Sequence, residues 1–479
     1  MPFPHLPPAS RAPHRDNARR RPRRGAAALA LAGTAALLLA GCGGGSGEDE
    51  DAPLVFWTPH NTPERVQAQE ATAQRFTEET GIPVQVVPLL TDDMNQSFVT
   101  GAASGDVPDV VLHGPQQTAA WMQQGLLDTE VPGQVVEALG ADTFTERALQ
   151  MVTVDGELAA VPSDGWGHLL MYREDLFDEA GIEPPTSLDE VAAAAAELNT
   201  GGRAGIAMGT QPADPFTTET MEALLLTNGC QLLDGDQVAL DSPNCVEGLR
   251  LFNELASASG QGEFNVESAR AAYLSGDAAM VIFSAHFLDE MAGLDPNNPV
   301  TCAECEENPR FLAENSGIVS LLSGPDNATP VEYGVTLNLG VPRGARTEEA
   351  AQFIEFLMGE GYVESLAIAT EGRVPVRTGT QENPTEFVDA WAELPFGADP
   401  DNEESIADVY GEETVQILID GANGFTRWGF GGQGAALAGS VASQNVISTN
   451  VNELYGGTDP AEYAAQIAEE ARNVQQDIS

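Results

Sequence analysis

The 479-residue sequence contains no lysine. Its basic residues are 21 arginines, which oppose 73 acidic residues and leave a formal net charge of −52 at pH 7. Seven arginines fall within residues 11–24, so only 14 arginines face 72 acidic side chains beyond residue 41. A surface this acidic repels nucleic acid and anionic membranes, and neither is an expected partner.

Long apolar runs are also missing. No stretch beyond residue 41 approaches the roughly 20 apolar residues that a transmembrane helix needs. Residues 25–41 form a shorter, alanine-rich apolar run, which follows the arginine cluster and stops at Cys42. This order of regions is typical of a signal peptide, which we assign to residues 1–41. The sequence therefore predicts export.

Familiar catalytic motifs are absent as well. The sequence has no Gly-x-Ser-x-Gly elbow, no His-Glu-x-x-His and no phosphate-binding Gly-x-x-x-x-Gly-Lys. A hydrolase that uses acidic side chains on a sugar substrate remains the second hypothesis, since carboxylates are abundant. A metal-binding protein is the third, although the four histidines beyond residue 41 are widely separated. We expect no catalytic residue, no cofactor and no metal.

The segment around Cys42 resembles the lipobox of bacterial lipoproteins. It reads Leu-Ala-Gly-Cys over residues 39–42, and a glycine-rich, acidic stretch follows it. The alternative is an ordinary cleavage site beside an unrelated cysteine. The resemblance implies that Cys42 is diacylated, that residues 42–52 are a flexible tether, and that the lipid alone holds the protein on the extracytoplasmic face of the cell membrane.

Four further cysteines lie in the body of the chain. They are Cys230, Cys245, Cys302 and Cys305. An even number of cysteines in an exported chain favours disulfides over a metal site. The pairs nearest in sequence are Cys230 with Cys245 and Cys302 with Cys305, but the sequence leaves the pairing open.

Short apolar runs alternate with helix-period segments, which predicts an α/β fold with largely parallel sheets. The first unit consists of a strand at 54–57, a helix capped by Thr62 that ends near Gly81, and a strand at 84–87. Similar patterns predict further strands at 109–112 and 278–283, and helices at 191–198 and 351–358. The exported part is too long for one hydrophobic core and predicts two domains.

Seven short motifs resemble, in order across about residues 53–378, family 1 extracellular solute-binding proteins, the sugar-binding lipoproteins of ABC importers. The motifs are FTEETGIPV (76–84), GDVPDVV (105–111), GELAAVP (156–162), YREDLF (172–177), PTSLDE (185–190), YLSGDAAM (273–280) and GRVPVR (372–377). No single motif is specific, but all seven occur in register. The maltose-binding protein has this architecture.

The resemblance implies a two-lobe periplasmic-binding-protein fold, type II-like, with three crossings between the lobes and a central ligand cleft. Lobe one would comprise residues 53–152 and 338–377, and lobe two residues 153–337 and 378–479. The implied function is capture of a small solute, with carbohydrate the favoured class, and its delivery to ABC permease subunits in the membrane. We expect a monomer.

Sugar recognition needs flat apolar faces and convergent polar groups, so we sought aromatic and polar side chains after predicted strands. The strongest candidates lie in a predicted glycine-rich loop at 162–168, which carries Asp164, Trp166 and His168. The other candidates follow strands or a late segment, and they are Trp57, His60, Asn61, His113, Ser284, His286, Arg427 and Trp428. The structural alternatives are core tryptophans and capping or solvated histidines.

Ser284 and His286 stand where many relatives carry a Gly-x-Trp turn that stacks on sugar. Arg427 and Trp428 stand where relatives often carry a late stacking tryptophan, and the guanidinium suits vicinal hydroxyls or a carboxylate. Because the first of these positions lacks the tryptophan, this chain departs from the family pattern at a position that contributes to ligand choice.

The acidic composition predicts that salt stabilises the folded protein, as in a salt-tolerant source. Screening relieves the repulsion among the acidic side chains, so the free energy of unfolding should rise between low and molar salt. Circular dichroism during urea unfolding measures this. Equal stability at both salt concentrations would contradict the prediction.

Overall fold

The computed structural model describes residues 52–260, 262–398, 402–429, 432 and 434–478. The predicted signal peptide, Cys42 and the predicted tether up to residue 51 lie outside the described residues. Within the described ranges, no helix is both long and apolar enough to cross a membrane.

The strands vary in length from two residues to fourteen. In chain order they are β1 Leu54–Thr58, β2 Val84–Pro88, β3 Val110–His113, β4 Thr153–Val154, β5 Glu157–Leu158, β6 Val161–Arg173, β7 Leu233–Asp234, β8 Gln237–Val238, β9 Met280–Ser284, β10 Ser316–Val319, β11 Leu322–Gly324, β12 Asn327–Gly340, β13 Val374–Pro375, β14 Pro395–Phe396, β15 Glu404–Ser405 and β16 Phe425–Thr426.

Helices fill most of the segments between the strands. They are α1 Pro63–Thr80, α2 Thr91–Ser104, α3 Pro115–Gln123, α4 Glu130–Leu139, α5 Glu146–Met151, α6 Glu174–Ala180, α7 Leu188–Leu198, α8 Pro215–Thr227, α9 Pro243–Ser257, α10 Val266–Leu274, α11 Leu288–Met291, α12 Phe311–Glu314, α13 Thr347–Met358, α14 Tyr362–Leu366, α15 Glu386–Ala392, α16 Ile406–Ala422, α17 Ala435–Ser443, α18 Asn452–Tyr455 and α19 Pro460–Asp477. Short 3-10 turns occur at Ala141–Thr143, Ala285–Phe287, Glu304–Glu306 and Thr370–Gly372.

Local sequence signals explain the ends of the first helices. The Thr62 hydroxyl accepts a hydrogen bond from the backbone N–H of Arg65 at the start of α1, and Gly81 ends that helix with φ of 82°. Ser187 caps α7 in the same way through the backbone N–H of Glu190. The predicted cap at Thr62 and the predicted end near Gly81 are confirmed, since each supplies a partner to a backbone group that the helix leaves unpaired.

The main sheet has the order β10-β6-β12-β3-β1-β2. Strand β1 runs parallel to β2 and β3, whereas β12 is antiparallel to β3 and β6, and β6 is antiparallel to β9 and β10. The prediction of largely parallel sheets is therefore wrong. Apolar runs identify buried strands but carry no information about strand direction, and the two long strands β6 and β12 set most of the pairings.

The segment predicted as a glycine-rich loop at 162–168 is also different. It is the first half of the 13-residue strand β6. Gly165 and Gly167 pair with Thr336 and Gly334 of β12. Here the glycines serve close packing and make no turn, because a strand glycine lets a neighbouring group approach the backbone.

The glycines of β6 and β12 face a ring and a carboxyl group. A Cβ atom at Gly334 or Gly165 would overlap the ring of Phe425, and one at Gly167 would overlap the carboxyl of Glu332. Phe425 is 1% exposed and Glu332 is 3% exposed. Phe425 and Glu332 thus fill the space beside the glycines and hold β6 and β12 together on that face.

Farther along β6, alternate side chains enter two hydrophobic cores. Leu169 and Met171 belong to a core that also contains Phe283. Leu170 and Tyr172 belong to a second core, built on α7, α8, α9 and α19. Because strand side chains alternate between faces, this one strand joins both cores. The proposed boundary between residues 337 and 338 falls inside β12.

Both disulfides join the cysteines that are nearest in sequence. Cys230 pairs with Cys245 across a separation of 15 residues, and Cys302 pairs with Cys305. All four cysteines are buried. The expectation of disulfides is confirmed, and the structure supplies the pairing.

Substituting Gly334→Ala should destabilise the fold by about 1–3 kcal/mol, because the added methyl group overpacks the Phe425 ring. Chemical denaturation measures the change. Gly133→Ala is the matched control, since nothing lies within 4 Å of its Cβ position in α4, and alanine should raise stability there by roughly 0.5–1 kcal/mol. Equal behaviour of the two variants would contradict this account of the strand glycines.

Candidate functional site

Trp166 is half-buried on β6 and lies near two imidazoles. Its ring centroid is 5.9 Å from that of His168, in a stacked arrangement, and 6.1 Å from that of His286. Positions 166 and 168 share a face of the strand, and β9 brings Ser284 opposite His168 and so carries His286 to the same place. We call Trp166, His168 and His286 the indole–imidazole cluster.

His168 is enclosed by α8 and β12. Its side chain is 3% exposed, and Nε2 lies 3.5 Å from Oε2 of Glu219. The ring packs against Tyr333 at 4.8 Å between centroids. The other ring nitrogen, Nδ1, is buried and has no hydrogen-bond partner. One nitrogen of the imidazole thus faces a carboxylate, and the other has no hydrogen-bond partner.

His286 contacts the segment that precedes β13. Its Nδ1 lies 3.4 Å from Oε1 of Glu371, and its ring lies over Gly372, where a Cβ would overlap it. Burial alone would raise the pKa of Glu371, but the hydrogen bond and charge of His286 outweigh burial, so the net pKa is lowered. Glu371 is therefore an ionised carboxylate.

Arg427 lies beside this cluster and has several partners. Its Nε is 3.8 Å from Oε1 of Glu222, and its guanidinium carbon is 5.2 Å from the ring centroid of Tyr333. With the amide of Gln116 turned so that its oxygen faces Arg427, Nη2 donates to it over 3.1 Å. Burial raises the pKa of Glu222, and the charge of Arg427 acts against that rise.

The three candidates after β1 differ in environment. Trp57 is half-buried and packs against the core around Phe98, whereas Asn61 is exposed. Nε2 of His60 is buried without a hydrogen-bond partner. Burial, with the nearby charge of Arg373 next in size, lowers the pKa of His60 to about 2. His60 is therefore neutral.

His113 lies in the interior of the protein. It is 1% exposed, and its Nδ1 is 3.0 Å from the carbonyl oxygen of Gly114 and 3.2 Å from the Thr118 hydroxyl. Burial lowers the pKa of His113 to about 4, although the Gly114 hydrogen bond acts in the opposite direction. A packing role accounts for this environment, and ligand contact by His113 stays a prediction.

Asp164 and Trp428 each have partners within the protein. The Asp164 carboxylate accepts from Nε of Arg373 over 2.9 Å and from Nη2 over 2.5 Å, and Ser163 donates to it. Trp428 is 4% exposed, and its indole N–H donates to the carbonyl of Cys230 over 3.1 Å. These contacts fix both side chains in the fold, so their ligand roles also stay predictions.

Sequence reasoning missed five polar residues around the indole–imidazole cluster, namely Gln116, Glu219, Glu222, Tyr333 and Glu371. Nothing in a chain with 73 acidic residues distinguishes these three glutamates by sequence alone. Only the tertiary structure identifies these residues, because α8, β12 and the turn before β13 come together only in the folded protein. Across the described ranges, no three His, Cys, Asp or Glu side chains are grouped so that they could hold a metal ion.

Residues 71–395, more than half of the chain, match the family described as bacterial extracellular solute-binding protein. The chain belongs to this family. The resemblance seen in the sequence motifs is thereby confirmed.

Relatives of this solute-binding protein include YcjN of Escherichia coli (strain K12), provisionally named an ABC transporter periplasmic-binding protein. The two are 24% identical over 372 residues, which is 72% of this chain and 82% of YcjN. The lactose-binding protein of Rhizobium radiobacter is 27% identical over 158 residues, 32% of this chain and 35% of that protein.

Solved structures share the fold. The GacH receptor of Streptomyces glaucescens GLA.O, described unliganded and with acarbose, superimposes with a TM-score of 0.62 at 19% identity, over 89% of this chain and 98% of GacH. Maltose-bound MalE3 of T. maritima gives 0.63 at 18% identity, over 88% and 100%. UgpB of Mycobacterium tuberculosis with glycerophosphocholine gives 0.62 at 18%, over 89% and 100%. The predicted α/β solute-binding fold is confirmed.

Replacing His60 with glutamine should reduce the sensitivity of the solute-binding protein to acid. The folded pKa of His60 is lowered from 6.5 to about 2, so its contribution to stability is present above pH 6.5 and is lost as the pH falls below it. Urea unfolding of wild type and His60→Gln at pH 8 and pH 5 measures this. Wild type should lose more stability than the variant, and equal losses would refute the neutral, buried state of His60.

Proposed function

We propose that this protein is the substrate-binding component of an ABC importer, that it captures a carbohydrate, and that it delivers this solute to permease subunits in the membrane. The family is one of extracellular solute-binding proteins, and the names of relatives include an ABC transporter binding protein and a lactose-binding protein. The observation that carries the carbohydrate assignment is the half-buried indole of Trp166 beside two imidazoles.

The chemistry around Trp166 suits a neutral, polyhydroxylated solute. An indole face accepts the C–H surface of a pyranose, and polar side chains around it meet the hydroxyls. The charged groups nearby face partners within the protein: Arg427 faces Glu222, Glu219 faces His168 and Glu371 faces His286. Groups that already have hydrogen-bond partners can still accept or donate further hydrogen bonds to hydroxyls, and the acidic chain opposes anions.

We further propose that the protein consists of two lobes, residues 53–152 with 338–377 and residues 153–337 with 378–479, and that the lobes close over the solute. The long strands β6 and β12 would form two of the three crossings. Closure between hinged lobes then excludes water from the indole–imidazole cluster and strengthens its hydrogen bonds.

Export and anchoring complete the proposal. Residues 1–41 would be removed as a signal peptide, and the acylated Cys42 would hold a monomer on the extracytoplasmic face of the cell membrane through residues 42–52. The protein would be a binding protein and no enzyme. The hydrolase alternative is not favoured, because the family is one of binding proteins.

A thermal-shift screen of the chain from Ser46 tests the solute class, with sugars, polyols, amino acids and organic anions at molar salt. A ligand at about one hundred times its dissociation constant stabilises the folded state by about 2.7 kcal/mol, which raises the melting temperature by a few degrees. We expect one sugar class to give this shift and to be recovered unaltered. A shift from another class alone, or cleavage of the sugar, would overturn the proposal.

Trp166→Ala should weaken binding of that sugar by about tenfold or more, because the stacking face is lost. Isothermal titration calorimetry measures the affinity. Trp121→Phe is the control, since Trp121 is fully buried and its indole donates to Asn95. The control should lower the melting temperature and leave the affinity unchanged, whereas unchanged affinity in Trp166→Ala would remove Trp166 from the site.

A further inference from the structure

Two histidine–glutamate pairs lie beside Trp166. His168 faces Glu219 through Nε2 at 3.5 Å, and His286 faces Glu371 through Nδ1 at 3.4 Å. The pairs use different ring nitrogens, and the glutamates come from different elements, α8 and the turn at Thr370–Gly372. The same kind of pair therefore occurs twice around one indole.

An ionised carboxylate only accepts hydrogen bonds, so the imidazole nitrogen that faces it must carry the proton. Both glutamates are ionised. Burial acts to raise the pKa of Glu219, but the hydrogen bond and the charge of protonated His168, followed by the charge of Arg427, lower it further than burial raises it. The pKa of Glu371 is lowered by His286 against burial in the same way.

When a protonated imidazole beside a carboxylate loses one of its two ring protons, the nitrogen that faces the carboxylate keeps its proton and the other nitrogen becomes an acceptor. Glu219 then leaves Nδ1 of His168 as the acceptor, and this atom is buried without a partner. Glu371 leaves Nε2 of His286 as the acceptor on a side chain that is 38% exposed. A buried acceptor without a partner is costly unless another molecule donates to it.

We propose that Glu219 and Glu371 are positioning residues that fix opposite tautomers of His168 and His286, so that both imidazoles accept hydrogen bonds from hydroxyl groups of the solute. The claim that a solute supplies the hydroxyl donors rests on the proposed function. The claim that the glutamates fix the two tautomers does not rest on it. The site then distinguishes a hydroxyl group, which donates, from an ether or methoxy oxygen at the same position, which only accepts.

The packing around each ring supports this assignment. The Tyr333 ring and the Phe216 ring lie beside His168 at 4.8 Å and 6.4 Å between centroids, and they hold its orientation. The absence of a side chain at Gly372 allows the His286 ring to lie against the backbone. Each glutamate therefore meets a ring whose orientation is already restricted.

The test is the nitrogen-15 NMR spectrum of histidine-labelled protein without solute, at a pH where the imidazoles are neutral. The chemical shifts of Nδ1 and Nε2 report which nitrogen carries the proton. We expect the proton on Nε2 of His168 and on Nδ1 of His286. The opposite tautomer at either ring, or a proton on both nitrogens, would overturn the proposal without any substitution.

Variants separate positioning from a merely structural role. Glu371→Gln keeps an acceptor oxygen and should keep the His286 tautomer, whereas Glu371→Leu should change it to a mixture; Glu219→Gln and Glu219→Leu test His168 in the same way. Glu364→Gln, which removes a partner of Arg75, is the control and should change neither ring. The tautomer of His113, fixed by Gly114, reports that each variant is folded.

Solute binding provides the second measurement. With the sugar that stabilises the protein, Glu371→Leu should weaken binding about tenfold and Glu371→Gln by less than about threefold. Unchanged affinity in Glu371→Leu, with its tautomer changed, would refute the role of His286 as an acceptor. If the tautomers are as expected but no sugar binds, the proposed function fails and the positioning of the imidazoles stands.

Discussion

The antiparallel pairing of β6 with β12 is the constraint on which the rest of the structure depends. One face of this pair is reduced to glycine at positions 165, 167 and 334, so that Phe425 and Glu332 pack directly on the backbone. The other face carries Trp166 and His168. Because the glycine face is filled, the strand that bears the indole has little freedom to shift relative to its neighbours.

Buried charges with partners reinforce this frame. Asp164 and Arg373, both nearly inaccessible, form a two-point ion pair that ties β6 to the segment entering β13. Such a pair is costly to break, since removal of either partner leaves a buried charge alone. The charged side chains of the site have hydrogen-bond partners within the protein, and the strongly acidic surface disfavours an anionic solute.

Much of the fold is readable from the sequence where local chemistry decides it. Thr62 and Gly81 mark the ends of α1 through backbone groups that need partners, and the structure confirms them. The glycines at 165 and 167 misled the prediction, because the side chains that require them, Phe425 and Glu332, are distant in sequence. The directions of the strands were predicted wrongly for the same reason, since they depend on pairing between strands that are distant in sequence.

Part of the candidate site could be predicted from the sequence, and the rest depends on tertiary contacts. Aromatic and polar residues after predicted strands included Trp166, His168 and His286, which the fold brings together. His113, Asp164 and Trp428 have contacts that already account for their burial. Glu219 and Glu371 could not be foreseen, because an acidic residue in so acidic a chain gains meaning only from the imidazole it faces.

The central claim is that a neutral sugar stacks on Trp166, and the indole N–H signals of the five tryptophans test it most directly. Trp121, Trp391 and Trp428 are buried and their indole nitrogens donate to protein acceptors. In NMR titrations with the stabilising sugar, the Trp166 signal should move most while those of Trp121 and Trp391 remain in place. A sugar that binds and leaves the Trp166 signal unmoved would contradict the account.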